Sequence, residues 1–153
     1  MRARKGYTFT EMLIVFVIMA LITAFSLPKF AVLQDRSRLT AARQELEAAI
    51  ATARSAAIQK GRTARVRFVG NKISVLVTTS SSGTTTTLIP SMPLDSVYGV
   101  TLSSSDTAIV YDMRGFASPR LGATGMFKLI GKSRRDSVCV TTAGQIMPRA
   151  CSL

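Results

Sequence analysis

The 153-residue chain has no histidine, two cysteines, five prolines and only eight acidic side chains. Without histidine it lacks the commonest general base and an imidazole metal ligand. Serine and threonine are plentiful, but no histidine can activate them. No lysine–serine or paired-carboxylate motif stands in for one, and no glycine loop cradles a phosphate. Catalysis, a metal and a cofactor are therefore not expected, and Asp95, Asp106 and Asp112 read as turn or strand-end residues. Cys139 and Cys151 form neither a CxxC nor any zinc spacing. A short-loop disulfide in an oxidising compartment is the natural reading, with two buried thiols as the alternative. The scarcity of acids sets 20 Lys and Arg against 8 Asp and Glu, a net +12. That balance favours anionic partners but says nothing about fold. Few prolines and 47% apolar residues argue against disorder.

What is present begins with RARKGYTFTEML, followed by IVFVIMALITAF. Met12 to Leu33, interrupted at Pro28-Lys29, makes roughly 33 Å of helix, enough to cross a bilayer. Arg2, Arg4 and Lys5 precede it, which predicts a cytoplasmic N-terminus and export of the rest. No small-x-small cleavage site follows the apolar run, so the segment reads as a retained anchor. Glu11 stands at its mouth, where an ionisable group is costly unless paired or lodged in the headgroup region.

The stretch Gly6-Tyr7-Thr8-Phe9-Thr10-Glu11-Met12-Leu13 resembles the processing site of type IV pilins and pseudopilins. The resemblance implies that a prepilin peptidase cuts after Gly6 on the cytoplasmic side. It makes Tyr7 the methylated new N-terminus, Glu11 the acid that supports assembly, and Pro28 the proline that loosens the first helix. Tyr7 and Thr10 depart from the usual Phe and apolar residue of that motif. Glycine admits the backbone to a peptidase cleft without a side chain. The amine freed on Tyr7 could pair with Glu11 of a neighbouring subunit, each offsetting the burial of the other.

From Gln34 to Lys60 the apolar residues Leu39, Ala42, Leu46, Ala49, Ile50, Ala53 and Ala57 recur at steps of three and four, one helical face. Arg43 and Glu47 form an i,i+4 pair, and Gly61 is a stop signal. One long helix bent near Pro28 is expected. Beyond it, strands are expected at Thr63–Val69, Lys72–Thr78, Thr86–Ile89, Val97–Leu102, Ala108–Tyr111, Gly125–Ile130 and Val138–Thr142. The stretch from Ser80 to Thr87 reads as an exposed loop, and Pro90 and Pro93 as a turn. Tyr98, Tyr111, Phe116 and Phe127 are expected in the core. The predicted fold class is α+β: a long N-terminal helix, membrane-spanning in its first half, packed on a small antiparallel sheet or two-sheet sandwich. Its expected parts are a cleaved leader 1–6, a membrane and filament-core helix 7–33, an amphipathic helix 34–61 and a basic β-rich domain 62–153.

Three phrases, ARSAAIQKGRTARVRF, IVYDMRGFASP and SVCVTTAGQIMPRAC, resemble the GspH/FimT-like branch of pseudopilins and minor pilins. That resemblance implies a FimT-like minor pilin of a type IV pilus, with a GspH-like subunit of a type II secretion system as the alternative. Implied partners are other pilin subunits, the prepilin peptidase and the bacterial inner membrane, before passage into a periplasmic or extracellular filament. DNA uptake is a further implication, although Gln145 stands where DNA-binding relatives carry arginine. The candidate DNA contacts are Lys132, Arg134, Arg135 and Arg149, with Arg62, Arg65 and Arg67 as an extension. Such contacts would hold the phosphate backbone without reading sequence. Solubility, or docking to acidic faces of sister subunits, is the other reading of the same charge. A plain membrane-anchored periplasmic protein that never polymerises is the remaining class, and Gly6 and Glu11 argue against it.

Overall fold

The computed structural model describes residues 8–79, 83–119 and 124–148, and only the backbone of 25–28. The chain divides into two compact units, Met1–Gln34 and Asp35–Leu153. Helix α1, Phe9–Lys60, supplies residues to both.

In the second unit α1 buries Leu39, Ala42, Leu46, Ala49, Ile50, Ala53, Ala56 and Ala57. This is the face expected from the three-and-four spacing, and its alanines bring the backbone close to the sheets. Gly61 then takes a left-handed φ of 58°, and Arg62 donates its N–H to the Ala57 carbonyl, closing the helix end.

Among the described residues nine strands follow, in two antiparallel sheets. The first sheet runs β3 (Thr85–Pro93), β2 (Lys72–Thr78), β1 (Ala64–Val69), β5 (Ala108–Tyr111), β6 (Ala117–Pro119). The second runs β4 (Thr101–Ser104), β7 (Thr124–Ile130), β8 (Arg135–Thr141), β9 (Ile146–Pro148). Alternation fixes the inner faces: Val66 and Phe68 point inward while Arg65 and Arg67 point out. The Phe68 and Phe127 rings join the sheets at a centroid separation of 4.5 Å. The fold is α+β, with one core shared by helix and both sheets.

Four local expectations are corrected. Val97–Leu102 is not one strand: helix α2 (Leu94–Tyr98) ends at left-handed Gly99, and β4 starts at Thr101. Pro90 and Pro93 lie within β3 rather than in a turn. An edge strand tolerates them because one side of its backbone has no ladder to complete. The three-residue strands β6 and β9 were not anticipated, being too short to show a period. Phe116 is exposed rather than core, whereas Tyr111 and Phe127 are fully buried and Tyr98 packs against the core.

Candidate assembly and anion-binding sites

At the start of α1 the Glu11 N–H donates to the Thr8 carbonyl and to its hydroxyl, at 3.1 and 3.3 Å. Thr8 is thus the N-cap and Glu11 occupies the third helical position, the two ends of a T-x-x-E capping pattern. An acid there also suits the positive end of the helix. The sequence reading missed this second use of Glu11, although the four-residue signature was present. Described side chains from Thr8 to Ala24 and from Lys29 to Gln34 are exposed. They include Phe9, Met12, Leu13, Ile14, Phe16, Ile18, Leu21 and Ile22. The helix is long and apolar enough to cross a membrane. Continuous exposed apolar surface of this extent calls for lipid or partner helices. Thr23 fits either, since its hydroxyl is spent on the Met19 and Ala20 carbonyls, both at 2.9 Å. Pro28 lies inside α1; Gly6 and Tyr7 lie outside the described residues.

Of the candidate DNA contacts, Lys132, Arg134 and Arg135 lie exposed at the β7–β8 turn, and Arg149 falls outside the described residues. The turn is pinned to α1. Lys132 and Ser133 donate their N–H groups to the Asp35 carboxylate at 3.2 and 2.9 Å, and the Ser133 hydroxyl donates to it as well. These bonds, the Ser133 hydroxyl foremost, hold the Asp35 pKa below its ordinary value. Beside the turn is a cleft of ≈ 700 Å³ lined by Arg36, Lys128, Arg134 and Arg135 around Leu39, Met126 and Ile130. Its one carboxylate, Asp136, is engaged by Arg43 at 3.6 Å, and Arg43 also meets Glu47 at 3.7 Å. Arg36 and Lys128 were not anticipated as members of this group, because 92 positions separate them in the chain. Arg65 and Arg67 are exposed on the outer face of the first sheet, not on the turn of the second.

Another arginine, half-buried, ties α1 to two turns of the sheets. Arg54 donates from Nε to the Gly115 carbonyl at 3.1 Å and from Nη2 to the Ala143 carbonyl at 3.2 Å. Burial pushes the nearby Tyr111 phenol up to about 12, against the pull of the Arg54 charge, so it stays neutral at physiological pH. Asp112 accepts the N–H groups of Arg114 and Phe116, both at 2.9 Å, the turn role expected of it, whereas Asp95 lies in the first turn of α2 and accepts the Ser96 N–H at 2.9 Å. Asp106 lies between β4 and β5, as expected, and is buried there. Cys139 is buried on β8, and Cys151 lies outside the described residues.

Two family models match: Type II transport protein GspH over residues 42–144, and the prokaryotic N-terminal methylation motif over residues 1–27. Among solved structures, the type IV minor pilin FimU of Pseudomonas aeruginosa is 18% identical, with TM-score 0.60, covering 74% of this chain and 89% of its own. The minor pseudopilin EpsH from the Type 2 Secretion System of Vibrio cholerae is 13% identical, with TM-score 0.54, covering 71% and 93%. At these identities the likeness shows the shared fold. No curated protein sequence matches the chain.

Proposed function

The chain belongs to the GspH family, and from that premise we propose that it is a FimT-like minor pilin of a type IV pilus. In this reading a prepilin peptidase removes residues 1–6, and the amine of Tyr7 pairs with Glu11 of a neighbouring subunit. The first half of α1 holds the subunit in the inner membrane and then in the filament core, with Pro28 loosening it for the transfer. The domain is exported to the periplasm and presented on the filament. Its action is mechanical rather than catalytic.

The observation that carries the reading is the exposed apolar surface of α1, with a single acid, Glu11, in its first turn. DNA capture is the finer part of the proposal. It is supported by Lys132, Arg134 and Arg135 lying exposed at one turn, with Arg149 as the fourth contact. A Cys139–Cys151 bridge would tie Arg149 to β8, in keeping with the absence of free cysteine among the described residues.

A second reading, a minor pseudopilin of a type II secretion system, is favoured by the description of the matching family. A deletion strain scored for both DNA transformation and exoprotein release separates the two. Loss of transformation alone supports the pilus, and loss of exoprotein release alone supports secretion. The family mechanism itself is tested by Gly6→Val, which should leave a full-length precursor that enters no filament. Normal maturation of that variant would sink it.

A further inference from the structure

We propose that the cleft between α1 and the second sheet is a binding site for the phosphodiester headgroup of an anionic phospholipid, occupied while the subunit waits in the membrane. The inference rests on the membrane-anchored reading above and adds a ligand to it.

Four observations carry it. The first is charge: Arg36, Lys128, Arg134 and Arg135 line the cleft, and its one carboxylate, Asp136, is already engaged by Arg43. The second is shape. A concave cleft of ≈ 700 Å³ floored by Leu39, Met126 and Ile130 offers apolar contact to a glycerol and the start of its chains, with cations at the rim for the phosphate. A duplex presents its phosphates on a convex ridge and has no use for such a floor.

The third is position in the chain. Arg36 is three residues past Leu33, the last residue of the apolar run. Three residues span at most about 11 Å in any conformation. The interfacial zone of a bilayer is roughly 5–8 Å deep on each side, so Arg36 cannot lie far from it. Cations on the exported side also run against the positive-inside bias, and an anionic headgroup gives them a use there.

The fourth is the pinned turn. The amide groups of Lys132 and Ser133, a ready anion nest, are filled by Asp35. The protein's own carboxylate thus fixes the turn and leaves side chains, not backbone, to meet a ligand. Long Arg and Lys stems suit that role, lying along the apolar floor while the charged heads reach the phosphate.

The test uses residues 35–153, the compact unit that contains the whole buried core. Its binding is measured to vesicles of phosphatidylglycerol mixed into phosphatidylcholine, to pure phosphatidylcholine vesicles, to duplex DNA and to water-soluble glycerophosphoglycerol. Binding to the anionic vesicles but not to pure phosphatidylcholine, weakening with salt, is expected, alongside the duplex binding proposed above. Replacing Arg36, Lys128, Arg134 and Arg135 with glutamine should cost about fivefold per charge, on the order of a hundredfold or more together. Replacing Arg62, Arg65 and Arg67 instead removes three charges from another surface and should cost far less.

Equal losses in the two variants would reduce the effect to net charge and overturn the site. Binding of DNA but not vesicles would make it a nucleic-acid contact and overturn the lipid assignment. Saturation by glycerophosphoglycerol without vesicle binding would make its ligand a soluble phosphodiester rather than a lipid, with the same result. Failure here is distinguishable from failure of the parent reading: a full-length chain that is still cut after Gly6 and enters filaments keeps that reading while this one falls.

Discussion

At the scale of single residues, the turn between β8 and β9 depends on a glycine. Gly144 sits at φ +73°, and a Cβ built there would lie 2.3 Å from the Gly115 carbonyl oxygen, the atom that Arg54 also engages. The other close atoms are the Nε and Cζ of Arg54 itself, and its hydrogen bond to that carbonyl ties the two together, so neither steps aside freely. Gly61 is the natural control, because its φ is +58° yet nothing lies within 4 Å of its missing Cβ. Gly61→Ala should cost about 1 kcal/mol of backbone strain alone. Gly144→Ala adds overpacking and should cost about 2–4 kcal/mol. Urea midpoints of the two variants check this, and equal losses would show that the contact relaxes freely.

At the scale of elements, the pinned β7–β8 turn is a local device whose strength follows pH. Asp35 has a lowered pKa in the folded chain, so its stabilisation is complete above the ordinary carboxylate value near 3.8 and disappears as pH falls through the depressed native value. The protection of the Lys132 and Ser133 amides, measured against their intrinsic exchange at each pH, should therefore fall on acidification towards pH 3. Asp35→Ala should produce the same loss of protection at neutral pH while Val138 and Val140 stay protected. If those two amides exchange no faster in the variant, the pin contributes nothing. The buried half of α1 was legible because its apolar residues return at three and four, and β1 because Arg65 and Arg67 alternate with Val66 and Phe68. Helix α2 was not, since Val97-Tyr98-Gly99-Val100 has strand-like composition and its one buried helical residue, Leu94, lies earlier. The pin and the cleft were also hidden. Each joins α1 to a turn some hundred residues later, and only the lone acid Asp35 beside Arg36 hinted at either.

At the scale of the whole molecule, the division at Gln34 separates two kinds of solvent preference. The buried cluster begins at Leu39 and draws on α1 and both sheets, so Asp35–Leu153 has its core without help from the first 34 residues. The first unit has the opposite character, with every described side chain exposed and most of them apolar. Its helix satisfies its own backbone and has no core of its own to enter, so lipid or neighbouring helices must cover it. Residues 35–153 should therefore be soluble and unfold in one cooperative step with the same midpoint as the full chain in detergent. The full chain should partition into membranes and leave them only on assembly or extraction by detergent. A truncated chain that melts broadly, or binds dyes for exposed apolar surface, would show that the first unit contributes to the fold. The division of labour would then fail, because a segment needed to complete the domain could not be surrendered to a filament without unfolding it.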